Sequence, residues 1–199
     1  MALRLAVVGG SWGGLDALGR LLGALEPSGF AVAAALHRSA SGPEGALVSY
    51  LRSRSRLPVA EAEDKQAIEP GHAYLAPADY HLLVEPGRFA LSIDAPVLFS
   101  RPSIDVLFES AADAYGDEAA AVVLTGANED GTAGLREVKR RGGVALVQDP
   151  ATAVRGEMPQ AAIATGLADH VLPVEEIAAR LNGLAVPASA PGGARRGTR

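Results

Sequence analysis

Three polar residues stand directly after apolar runs: Ser11 after Leu5–Gly10, His37 after Phe30–Leu36, and Asp130 after Ala119–Leu124 and a short polar loop. A serine hydroxyl becomes a useful nucleophile only when a base takes its proton. An imidazole serves as that base when an acid on its other nitrogen fixes its tautomer. The three residue types that acyl-transfer chemistry needs are therefore all present. Ser11 carries the strongest local signal. Gly9-Gly10-Ser11-Trp12-Gly13 fits G-x-S-x-G, in which flanking glycines let a strand bend sharply into a helix and push the hydroxyl above the sheet. The helix that follows directs its first N–H groups toward whatever the serine attacks, which suits a developing oxyanion.

The same turn admits other readings. A dinucleotide-binding turn needs G-x-G-x-x-G, and no register of Gly9, Gly10, Gly13 and Gly14 supplies it. A phosphate loop needs lysine where Leu15 stands. A purely structural Gly-Ser turn remains open on these residues alone. His37 is likewise open to reading as a hydrogen-bonding residue at a strand end. Its rivals as base are His72 in a Pro-Gly-His-Ala turn, His81 at the start of a hairpin strand, either on the surface or lining the cleft, and His170 before a late strand. Asp130 competes with Glu129, and its place before Gly131 and a helix also suits an N-cap.

The elements that must position these residues follow from periodicity. Ala6–Val8, Phe30–Leu36, Ala119–Leu124 and Val144–Val147 are unbroken apolar runs of buried-strand length, joined by His170–Leu172 late in the chain and a short piece at Pro58–Ala60. Leu15, Leu18, Leu22 and Leu25 recur at helical spacing, and further helices are expected over Pro43–Arg56, from Pro102-Ser103 onward, over Thr132–Arg141, Met158–Ala164 and Val174–Leu181. Between Ile68 and Ile93 the turn residues Pro70-Gly71, Pro77-Ala78-Asp79 and Pro86-Gly87 break the chain into short pieces that suggest antiparallel hairpins. The expected fold is thus a single α/β domain over residues 1–184. A mainly parallel, doubly wound sheet has helices on both faces and a hairpin insertion. Residues 185–199, rich in Pro, Ala, Ser, Gly and Arg, are expected to form a disordered tail.

Composition narrows the function. The chain has 199 residues, no cysteine and a formal net charge of −5. Thiol catalysis, disulfides and cysteine-ligated metal are excluded. The acidic balance argues against a nucleic-acid binder, which needs a basic face. No apolar run has membrane-spanning or signal-peptide character, so a cytoplasmic protein without membrane insertion is expected.

With those residues in place the chain resembles the catalytic domain of CheB-type chemotaxis protein-glutamate methylesterases, over about Leu5 to Leu181. The motifs are Val8-Gly9-Gly10-Ser11-Trp12-Gly13-Gly14, Glu61-Ala62-Glu63-Asp64, Pro70-Gly71-His72-Ala73-Tyr74-Leu75-Ala76-Pro77, Arg101-Pro102-Ser103-Ile104-Asp105-Val106-Leu107-Phe108, and Leu124-Thr125-Gly126 through Asp130-Gly131. The resemblance implies that Ser11 is the nucleophile, His37 the base and Asp130 the acid that orients it, with backbone N–H groups of Trp12 and Ala127 as the oxyanion hole. It implies hydrolysis of glutamate γ-methyl esters on chemoreceptor helices through an acyl-enzyme, with receptor glutamine deamidation as related chemistry, and no metal or organic cofactor. The family's regulatory receiver domain is not part of this chain, so a separate response-regulator or receiver protein is an expected partner. Three departures bear on substrate: Trp12 replaces a small polar residue, Arg38-Ser39-Ala40-Ser41 follow His37 in place of methionine-proline, and Asn128-Glu129 add an acidic side chain next to Asp130. Ala127 replaces methionine, a change that leaves the backbone donor in place. An indole packed against the core, with Ser11 open, suits an enzyme. An indole over the Ser11 hydroxyl suits a catalytically weak scaffold of the same fold, and a stand-alone esterase for another ester is a third reading.

Overall fold

The computed structural model describes residues 2–27, 29–37 and 45–185. Residues 186–199 of the expected tail, the residues after His37 that depart from the family pattern and the expected start of the second helix at Pro43-Glu44 lie outside them, while Ala185 bridges to Leu3. Seven strands form one parallel sheet in the order β3-β4-β2-β1-β7-β8-β9: β1 Leu5–Gly10, β2 Ala31–Leu36, β3 Val59–Glu61, β4 Ala73–Leu75, β7 Ala119–Val123, β8 Val144–Gln148 and β9 His170–Leu172. The remaining two, β5 His81–Glu85 and β6 Arg88–Ser92, make an antiparallel hairpin. The helices are α1 Gly14–Ala24, α2 Ala46–Arg52, α3 Ile104–Tyr115, α4 Thr132–Arg140, α5 Glu157–Ala164 and α6 Val174–Leu184.

Every residue of β1, β2 and β7 is buried. Strands covered on both faces must be apolar throughout, which is why these segments show no polar alternation. Their pleat still sorts side chains. Ala6 and Val8 point into one core with Leu18, Leu21, Leu22 and Leu25 of the first helical segment, while Leu5 and Val7 point into the other with Ile104, Leu107 and Phe108 of α3. Each fully buried leucine or phenylalanine contributes roughly 1.5–3 kcal/mol relative to exposure. Gly9 makes the second core possible at the end of β1, because a Cβ there would stand 2.3 Å from Ile104 Cγ2. Without that side chain, the first turn of α3 lies directly against the strand that ends in Ser11.

Two expectations need correction. The stretch from Ile68 to Ile93 is not all antiparallel. Ala73–Leu75 enters the main sheet parallel to β2 and β3, and only His81–Ser92 forms a hairpin. Short pieces between turn residues look alike in sequence, and what sets the pairing here is the burial of Ala73–Leu75 between β2 and β3. The second helix stops at Arg52 and does not reach Arg56: Ser53 donates its hydroxyl to the Tyr50 carbonyl, and the Arg54 guanidinium lies 3.9 Å from the Tyr50 ring centre. Among the described residues no helix is long and apolar enough to cross a membrane.

Candidate active site

Parallel register brings the first two chemical groups together. Gly10 is the register partner of Leu36, and the His37 N–H donates to the Gly10 carbonyl at 3.1 Å, so Ser11 and His37 leave adjacent strands side by side. On the other flank the Ser11 N–H donates to the Thr125 carbonyl at 2.9 Å, just beyond β7. Strand ends in open parallel sheets gather ligands in this way.

The turn between β1 and α1 is held by glycine. Gly13 has φ of 79°, and a Cβ there would meet Val154 Cβ at 2.8 Å. Both features exclude an ordinary side chain at this position. The Gly14 N–H closes the turn on the Ser11 carbonyl at 2.8 Å, and Thr125 Oγ1 donates to the Trp12 carbonyl at 2.9 Å. Among the described residues the backbone N–H groups of Trp12 and Ala127 have no protein acceptor, and α1 has no side-chain cap. Gly126 lies against the serine: a Cβ there would be 3.0 Å from Ser11 Cβ and 2.6 Å from Met158 Cε.

Asp130 is fully buried, and His37 is nearly so, with 12% of its side chain exposed. His37 Nε2 lies 2.7 Å from Asp130 Oδ2. The carboxylate is also seated on the N-terminus of α3. The Ile104 N–H donates to Oδ2 at 2.8 Å, the Asp105 N–H to Oδ1 at 2.9 Å, and the Ser103 hydroxyl to Oδ1 at 3.0 Å. Burial would push the Asp130 carboxyl up, but the His37 hydrogen bond and the α3 amides outweigh it and hold the group below its ordinary value. A carboxylate at that position is consequently ionised and rigid. It accepts from His37 Nε2–H, which leaves Nδ1 as the nitrogen able to take a proton.

The N-cap alternative for Asp130 is excluded, since the cap of α4 is Gly131 at φ of 98° and the Asp130 side chain serves a different helix. Glu129 is exposed and lines a groove of about 440 Å³ with Leu98, Asp105, Glu109 and Arg136. The other histidines are elsewhere. His72 is half-buried and contacts the Pro70 carbonyl, and His170 lies in the edge strand β9. His81 is neither on the surface nor in the cleft: it is 2% exposed, with Nε2 3.1 Å from the Ala95 carbonyl and Nδ1 accepting the Ser103 N–H at 3.2 Å. Trp12 is not packed against the core. It is 68% exposed, and Val154, also exposed, lies against the Gly13 turn.

Sequence reasoning missed the support. His81, Ser103 and Asp105 surround the acid, and the signal available was the Pro102-Ser103 helix start. Asp105 makes the arrangement reciprocal: its Oδ1 accepts the Gly134 N–H at 2.7 Å in the first turn of α4. Each of the two helices thus has its N-terminus bound by an acid at the head of the other. Gly134 permits the approach, because a Cβ there would stand 2.4 Å from Phe108 Cβ. Burial first, then the Asp130 charge, pushes the Asp105 carboxyl from 3.8 to about 6. Asn128 was also missed as a site residue, with Nδ2 3.3 Å from His37 Nδ1.

Comparison with known proteins places this arrangement among others. The family model for CheB methylesterase matches residues 6–181. A putative protein-glutamate methylesterase/protein-glutamine glutaminase of Leptospira interrogans is 43% identical over 174 residues, covering 86% of this chain and 90% of that protein. Protein-glutamate methylesterase/protein-glutamine glutaminase 3 of Burkholderia lata is 40% identical over 185 residues, and the chain spans about half of its length, 50%. The crystal structure of the Thermotoga maritima CheB methylesterase catalytic domain superposes with a TM-score of 0.86 at 33% identity, covering 93% of this chain and all of that one. The match runs from β1 into α6 and takes in the serine turn, the strand-end histidine and the helix-seated aspartate alike, and the chain belongs to the CheB methylesterase family.

Proposed function

We propose that this protein is a protein-glutamate methylesterase in which Ser11 is the nucleophile, His37 the general base and Asp130 the acid that orients it. The observation that carries the assignment is the 2.7 Å contact between His37 and an Asp130 seated on three further donors, beside the glycine-flanked Ser11. Ser11 Oγ attacks the γ-carbonyl of a methylated glutamate while His37 Nδ1 takes its proton. Negative charge collects on the carbonyl oxygen, where the N–H groups of Trp12 and Ala127 receive it. The imidazolium that forms is balanced by Asp130. Collapse returns the proton to the leaving methoxide, methanol departs, and water repeats the sequence on the acyl-enzyme. Residues 1–184 form the catalytic unit.

The same steps release ammonia from a glutamine side chain, in keeping with the second activity in the relatives' names. The substrate is the cytoplasmic helical region of a chemoreceptor, reached from the cytoplasm without membrane insertion or nucleic acid, and a separate response-regulator or receiver protein is the fitting regulatory partner. The chemistry uses side chains and backbone amides alone. Methanol release from radiomethyl-labelled chemoreceptor membranes tests the reading. Release by the intact protein that disappears in Ser11→Ala is the expected result; no release by a folded intact protein overturns it for this substrate.

A further inference from the structure

The hydrogen bonds around His37 close into a ring through Asn128, a residue to which the reaction above gives no part. The Asp130 N–H donates to Asn128 Oδ1 at 3.3 Å, Asn128 Nδ2 faces His37 Nδ1 at 3.3 Å, and His37 Nε2 returns to Asp130 Oδ2 at 2.7 Å. Donor and acceptor roles in this ring admit one assignment. A backbone N–H can only donate, so the oxygen of the Asn128 amide must face Asp130, which turns its NH₂ toward His37. An NH₂ group can only donate, so Nδ1 must carry a lone pair and Nε2 the proton. Nε2–H is already required by the ionised Asp130, so the amide is not needed to select the tautomer. What it does is occupy the lone pair that Ser11 needs.

We infer that Asn128 is a positioning residue that masks the base: at rest its side-chain amide caps His37 Nδ1, and the Ser11 hydroxyl must displace it before the proton can move. The inference rests on the assignment of His37 as the base for Ser11. Asn128 is only part-buried and sits in the loop between β7 and α4, so its side chain can leave without opening the core. Once His37 takes a proton, Nδ1–H and the NH₂ group are both donors and the contact turns unfavourable. The mask therefore opposes the first proton transfer and favours return to the neutral imidazole.

The test separates the two contacts of Asn128. Asn128→Ser keeps an oxygen able to accept the Asp130 N–H two residues on, but its side chain is too short to reach Nδ1. A fluorophosphonate probe reads the base directly. Ser11 Oγ bonds to phosphorus, fluoride leaves, and the Ser11 proton passes to His37, whatever the natural ester. Asn128→Ser is expected to label about three- to ten-fold faster than the intact protein, the gain from releasing one neutral hydrogen bond. The ¹⁵N NMR signal of His37 Nδ1 is expected to lose its hydrogen-bonded shift while Nε2 keeps its own. Asn128→Ala, which also drops the loop contact, is expected to label as fast as Asn128→Ser at a lower melting temperature. Labelling of Asn128→Ser at or below the intact rate, or an unchanged Nδ1 signal, overturns the mask. Failure of the methylesterase reading looks different: receptors release no methanol while Ser11 labelling and its response to Asn128→Ser persist.

Discussion

Two helix N-termini meet at this site and are used in opposite ways. The α3 terminus is saturated: Ser103 caps it, Asp130 takes two of its amides and the Ser103 hydroxyl, and the whole junction is buried. The α1 terminus is open, with Gly13 in place of a capping side chain and the Trp12 N–H without a protein acceptor among the described residues. Both present the same partial positive charge. In the proposed mechanism one applies it permanently to an acid that must never move or protonate, and the other keeps it for a negative charge that exists only in passing. A transition-state donor has to be unsatisfied in the resting protein, and an orienting carboxylate has to be fully satisfied.

The contrast can be broken most strongly at the saturated end. Asp130→Asn replaces an acceptor with an NH₂ group that faces amide donors and the imidazole N–H, so kcat is expected to fall by about 10³–10⁴ with KM little changed, as steady-state kinetics on receptor membranes will read. Next comes a pH effect from the acid on the opposite side of the same junction. The Asp105 carboxyl is raised from 3.8 to about 6, so between those values the native state binds more protons than the unfolded chain. Stability is therefore expected to be greatest near the lower value and to fall as pH rises through the window, by up to about 3 kcal/mol. Urea titrations at several pH values measure this slope. Asp105→Asn keeps an oxygen for the Gly134 N–H and should flatten it.

The open end is broken by steric means. Gly126→Ala places a methyl 3.0 Å from Ser11 Cβ, and although Met158 can yield, the serine turn cannot. A displacement of a few tenths of an ångström is expected to lower kcat by about ten- to a hundred-fold, with an unaltered melting temperature as the sign that the fold is untouched. Smallest is Ser103→Ala, which removes one donor to Asp130 and the acceptor for the Val106 N–H. A loss of about 1 kcal/mol in stability is expected by thermal unfolding, with kcat reduced several-fold. A larger kinetic loss than this would mean that α3 holds Asp130 less firmly through its amides than the contrast requires.

The open end was the more legible of the two. Glycine flanks, a strand pattern and a helix pattern are contiguous in sequence, so Ser11 and its turn could be read directly, and strand ends pointed to His37. The saturated end is assembled from residues 25 to 27 apart that meet only because α3 and α4 pack head to head. Nothing local marks Asp105 as the partner of Gly134, and Asp130 before a helix reads as a cap for the wrong one. His81 was hidden for the same reason: its role depends on the hairpin lying against α3, where Val84 N–H donates to Ser110 Oγ. The short β4 was misplaced because strand pairing is decided by burial against neighbours and not by the three residues themselves.

The central place of β1 has a consequence for how the protein is made. Leu5 pairs with Ala31 on one side and with Ala119 on the other. A nascent chain can satisfy the first edge within a few seconds of synthesis. The second waits for on the order of a hundred further residues, roughly five to twenty seconds at ordinary translation rates. During that interval the serine turn has neither its Thr125 anchor nor its aspartate. The chemistry therefore cannot switch on until Asp130 has been made, and the Ala-Val-Val edge of β1 must be kept from other strands until β7 arrives.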